Sequence, residues 1–114
     1  MREQIVTESF DSQLEALSHV ERRRLLVALL KATRNDGTPI DATEIESDAD
    51  VSELSIRMAH VHLPKLTGDG YVDAATNGSS RSLDRVTVGP RFDRIRPLLE
   101  LLDANSGQLP DDWR

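Results

Sequence analysis

VSELSIRMAHVHLPKLTGDGYV, residues 51–72, reads as one helix closed by a glycine turn and running straight into a strand. Ile56, Ala59, Leu63 and Leu66 recur at spacings of three and four, which lines them along one side of a helix. Arg57, His60, Pro64 and Gly68 fall on the opposite side, with Lys65 towards its edge. Gly68 and Gly70 bracket Asp69 and suit a tight C-terminal turn with positive φ. Pro64 removes a backbone hydrogen bond and crowds the preceding turn, at a cost of about 3 kcal/mol, so the helix should kink or restart there. Asp50, Ser47 or Ser52 can cap its start.

Upstream, Ser12-Gln13-Leu14-Glu15 and Ser18-His19-Val20-Glu21 are capping-box patterns, in which hydroxyl and carboxylate satisfy orphan amides reciprocally. They predict helices within residues 10–34, the first short (10–17) and the second ending near Arg34 at the Asn35-Asp36-Gly37 turn cluster. Leu25, Leu26, Val27, Leu29 and Leu30 make the second helix mostly buried. Arg22, Arg23 and Arg24 fan out over most of its circumference, which favours pairing with local acids such as Glu21 over phosphate contact. Thr38-Pro39-Ile40 suits a short edge strand, because proline cannot donate to a ladder. In the acidic 38–50 segment, residues 41–50 offer only Ile45, with small Ala42 and Ala49, as apolar anchors, enough for a degenerate positioning helix of at most two turns.

Downstream, Val72 and Ala74 alternate against Val86 and Val88 and predict an antiparallel pair within 71–88. Residues 76–84 are too many for a tight hairpin and suit a mobile wing tip carrying Arg81, with Arg85 at its return. Gly89-Pro90 opens a last helical region over 90–105, where Phe92, Ile95, Leu99 and Leu102 form a stripe and Pro97 implies a kink or restart. That stripe can seat on the domain or bind its twin. Trp113 should pack back from the tail. Such an element order points to a mainly α fold with a small β-hairpin wing, a single winged helix-turn-helix domain spanning 1–114.

The net charge of −6 argues at first against nucleic acid. Its distribution says more. Residues 36–56 carry seven acids and no base, whereas 57–96 carry seven bases against four acids. The one appreciably basic stretch is therefore the central helix, the wing and the next helix start. Twelve Asp and twelve Arg stand beside only two Lys, the pattern of a protein living in molar salt. There the Debye length is only about 3 Å, so distant acids would hardly repel a phosphate. No apolar run approaches the roughly 20 residues that span a bilayer, and the N-terminus lacks an apolar signal region, so a cytoplasmic protein is expected. With no cysteine, and with His60 and His62 pointing about 160° apart on a helix, no metal site or cofactor is expected. No nucleophile elbow, phosphate loop or metal spacing suggests an enzyme.

His60-Val61-His62-Leu63-Pro64-Lys65-Leu66, followed by Gly70-Tyr71-Val72, resembles the end of the recognition helix in small ArsR-like winged-helix regulators. The HVHLPKL form is similar to one associated with halophilic archaea, and the resemblance extends over roughly 14–113. It implies a DNA-binding transcription regulator that dimerises through its terminal helices. On that footing Ser55, Arg57, His60 and Lys65 of helix 51–67 would lie at or near the major groove, with Arg57 the first candidate for guanine or phosphate. Arg81 and Arg85 would serve the wing. The acidic 36–56 segment fits that family least, and leaves open a winged-helix module that binds a protein partner instead of DNA.

Overall fold

The computed structural model describes residues 9–75 and 85–114. Helix α1 (Phe10–Ala16) is capped by Ser9, whose Oγ accepts the Ser12 amide at 3.0 Å, so the start lies one turn earlier than the Ser12 pattern suggests. Helix α2 (Val20–Arg34) is capped by His19, whose Nδ1 accepts the Glu21 amide at 3.1 Å. The expected Ser18–Glu21 box is thereby replaced, and the Glu21 carboxylate is free to turn into the core. Leu25, Leu26, Val27, Leu29 and Leu30 are buried, making α2 the central rod of the domain.

Among the described residues the arginine triplet forms no close ion pair, although the charges of Asp69 and Glu15 act on Arg22 and that of Asp112 on Arg23. The triplet clamps backbone carbonyls of three segments. Arg22 donates to the carbonyls of Ala16 and Glu15 at the end of α1. Arg23 donates to Leu17, Asp112 and Trp113, holding the C-terminal tail against α2. Arg24 reaches the Glu46 carbonyl at 2.7 Å and holds the acidic segment. Charge-assisted bonds of this kind are stronger than neutral ones, and all three lie partly buried.

After strand β1 (Ile40–Asp41) a single 3₁₀ turn (Ala42–Glu44) stands where a positioning helix was expected. Helix α3 (Val51–Arg57) opens with a capping box made by Asp50 and Glu53. It continues without a break through a π-helical turn (Met58–His62) into α4 (Leu63–Gly68), so 51–68 is one helix with a widened middle. The Leu63 amide bonds back five residues to Met58. That extra residue in the turn just before Pro64 opens room for the proline ring, and the expected break does not occur. The C-terminus closes in a Schellman arrangement, with the Tyr71 amide on the Leu66 carbonyl and the Gly70 amide on that of Thr67. Gly70 takes the left-handed position at φ 82°, and Gly68 does not.

Strands β2 (Val72–Ala75) and β3 (Arg85–Val88) pair in the register read from the sequence, Val72 opposite Val88 and Ala74 opposite Val86. β1 adds to the far side of β3, with Ile40 opposite Val86, giving an antiparallel sheet of order β1-β3-β2. Helix α5 (Phe92–Ala104) runs through Pro97 unbroken. Pro97 and Asp93, whose carbonyl loses its helical partner, are both exposed, so water can satisfy that group. Phe92, Ile95 and Leu99 are buried in the domain's own core, and Trp113 packs back as expected. The molecule is mainly helical with a small three-stranded antiparallel sheet, an arrangement compatible with a winged-helix-like fold. No helix among the described residues is long and apolar enough to cross a membrane.

Where β3 leaves the sheet, Gly89 passes against the turn after α4. A Cβ there would sit 2.5 Å from the Gly70 oxygen and 2.8 Å from the Val72 nitrogen, both backbone. Gly89→Ala should therefore destabilise by about 2–3 kcal/mol. Gly68→Ala, with nothing within 4 Å of its Cβ, should stabilise by about 0.5–1 kcal/mol. Urea unfolding of both variants checks this; a neutral Gly89→Ala would contradict the packing of this corner.

Candidate nucleic-acid interface

The residue that fixes the central helix is Glu21, 4% exposed and one turn before Leu25. Its Oε2 accepts from Ser47 Oγ at 2.7 Å and from Arg57 Nη2 at 3.1 Å, and its Oε1 meets His62 Nε2 at 2.9 Å. One carboxylate thus joins α2, the acidic segment, α3 and the π turn. On the other side of the imidazole, Arg22 Nη1 lies 3.3 Å from His62 Nδ1. A guanidinium can only donate, so Nδ1 accepts and the ring proton sits on Nε2, where it donates to Glu21. Burial pushes the His62 pKa down and outweighs the upward pull of the Glu21 hydrogen bond, leaving the ring neutral. Burial pushes the Glu21 carboxyl up. The hydrogen bonds from Ser47 and His62 and the Arg57 charge together prevail and hold it below its ordinary value.

His19, Glu21 and His62 bring one ligand-type atom each within 4.8 Å of one another. The histidine pair in this cluster is 19 and 62, through space, not 60 and 62. His19 Nδ1 caps α2, both His62 nitrogens have partners, and both Glu21 oxygens are bonded. Guanidinium groups flank the cluster on both sides. Metal binding at His62 Nε2 would put the ring proton on Nδ1, facing the Arg22 donor, so the cluster is built as a hydrogen-bond hub.

The hub and the π turn together rotate the helix from the reading in the sequence. Leu54, Met58, His62, Leu63 and Leu66 face the core, with Met58 and Leu63 five apart across the widened turn. Ile56, expected inward, is 60% exposed. Arg57, expected outward, turns towards Glu21 with its side chain 43% exposed. The open face carries Val51, Ser52, Glu53, Ile56, His60, Val61 and Pro64. Ser55 is half-buried beside it. Lys65 is drawn sideways to Glu15 at 2.9 Å and Asp69 at 3.4 Å. The Glu15 hydrogen bond raises the Lys65 pKa, with Asp69 adding to it, so the ammonium stays charged but engaged.

Of the six residues expected at DNA, His60 and Arg85 are exposed, the latter at the start of β3. Ser55, Arg57 and Lys65 are partly covered or paired, and Arg81 lies outside the described residues. The structure does not gather the cations of the central helix into a patch. At its N-terminal end stand exposed Glu44, Glu46, Asp48 and Asp50. No family model, curated protein or solved structure matches the chain.

Both hub groups respond to acid with the same sign. Their folded pKa values lie below the unfolded ones, so the stability they contribute is fully present above the unfolded values and is lost as protons bind. The melting temperature should begin to fall below about pH 6.5, through His62, and fall further below about pH 4.3, through Glu21. Glu21→Gln leaves Arg57 half in water but strands buried donors, and should cost about 2–3 kcal/mol at neutral pH while flattening the acid dependence. Thermal melts from pH 8 to 4 check both; a Glu21→Gln protein as stable as wild type would contradict the hub.

Proposed function

We propose that this chain is a cytoplasmic DNA-binding transcription regulator of winged-helix type, related to the ArsR-like regulators of halophilic archaea and acting as a homodimer through its terminal helices. The observation that carries this reading is topological. The 51–68 helix feeds directly into β2 of a β1-β3-β2 sheet and leaves one long face, Ile56, His60, Val61 and Pro64, uncovered. A recognition helix beside a wing has that arrangement. Phosphate contact falls to the wing, to Arg85 and Arg81, because Arg57 and Lys65 are engaged at home. Exposed Phe10 and Leu101, on α1 and α5, support pairing through the terminal helices. In molar salt the acidic segment is screened within about 3 Å and does not oppose the approach of a duplex.

A second reading, a winged-helix module that binds a protein, is favoured by one observation. Val51 and Val61 are 68% and 51% exposed on the same helix whose N-terminal end is lined with acids. Fluorescence anisotropy at molar KCl, on duplexes selected from genomic fragments, separates the two. Under the DNA reading, His60→Ala weakens only the selected site, by about 1–3 kcal/mol. Arg85→Ala weakens all sequences alike and lowers the salt slope by about one. Absence of any enriched duplex, with a stoichiometric protein complex from the same extract, would establish the second reading.

A further inference from the structure

We infer that the 51–68 helix reads thymine methyl groups, so that its preferred site is an A·T-rich major groove recognised through Ile56 and Val61. This rests on the DNA-binding reading above. Each base edge in the major groove asks for its own chemistry. Guanine is read best by a bidentate Arg or Lys, and in this helix Arg57 is bound to Glu21 and Lys65 to Glu15 and Asp69. Adenine is read best by Asn or Gln, and residues 51–68 contain neither. Cytosine offers a donor to a carboxylate, and Glu53 is turned back onto the Asp50 amide in the capping box. What the face presents is aliphatic surface, Ile56 at 60% and Val61 at 51% exposure, flanked by Pro64 and His60.

The backbone explains why two aliphatic groups share that side. Residues five apart diverge on a regular α-helix, but a π turn brings them towards one face. It does so inwardly for Met58 and Leu63, and outwardly for Ile56 and Val61. The match to thymine is one of apolarity and shape, the aliphatic Ile56 and Val61 against the one methyl group in the groove. Such a contact does not weaken when salt removes the counterion-release drive for binding.

Deoxyuridine provides the test, since it pairs like thymine and lacks only the methyl group. The full chain is used to select its preferred duplex from a random pool at molar KCl, and each thymine of that duplex is replaced in turn. The wild-type protein should bind about fourfold more weakly for each contacted methyl removed. The Ile56→Ala/Val61→Ala protein should bind thymine and deoxyuridine duplexes equally, with an unchanged melting temperature, since both side chains are exposed. Undiminished binding of the fully substituted duplex, or selection of a G·C-rich site, would overturn the inference while leaving DNA binding intact. A pool that yields no enriched duplex would overturn both.

Discussion

A single buried carboxylate holds this domain in register. Glu21 accepts hydrogen bonds from Ser47, Arg57 and His62, which come from the acidic segment, α3 and the π turn. Removing a carboxylate from water is costly unless its lone pairs are filled, and a half-filled network is worse than an apolar core. The hub therefore admits few alternatives. With the carboxylate in place, the imidazole must carry its proton on Nε2, Arg57 must turn inward, and the helix between them is fixed about its axis. Arg22 extends the constraint to α1 through the carbonyls it holds.

The consequence for function runs through the π turn. Pro64 would obstruct a regular helix, and the five-residue bond from Leu63 to Met58 accommodates it while keeping Leu54, Met58, Leu63 and Leu66 on the core. Ile56 before the widened turn and Val61 within it are both left outward. A helix that looked cationic on its free side thus presents aliphatic surface there, and its two cations serve the fold. Long-range attraction to a polyanion would be weak for such a surface. In the proposed DNA-binding role at molar salt that attraction is weak for any protein, so contact chemistry at the groove would be the stronger source of discrimination.

Much of the architecture was legible in the residues. The end of α2 at Arg34, the strand register of Val72 with Val88, the edge position of β1 beside Pro39 and the return of Trp113 all follow from local pattern. The outward face is not legible in the residues, because the 3.6-residue period does not hold across the π turn. The spacing of Met58 to Leu63 and the proline just after it were the available signals. Glu21 follows Ser18 by three, the spacing of a capping box. Its place four and eight residues before Leu25 and Leu29, on the buried stripe, was the clue to its real position. His62 belongs to the same lesson, since a polar residue beside Leu63 on an apolar stripe calls for a buried partner. Residues 76–84, with Arg81 among them, fall outside the described residues, and the wing tip expected there is left to the sequence.

One proton on His62 reports the state of the hub. If the Glu21 hub sets the helix, His62 in the native protein is a neutral imidazole with its hydrogen on Nε2 and an unprotonated Nδ1 facing Arg22. Long-range ¹H–¹⁵N NMR of ¹⁵N-histidine-labelled protein reads that state directly. The hub requires the Nε2–H tautomer at neutral pH, retained as the pH is lowered past the ordinary histidine range of about 6.5. A charged His62 at neutral pH, or a proton on Nδ1, would contradict it.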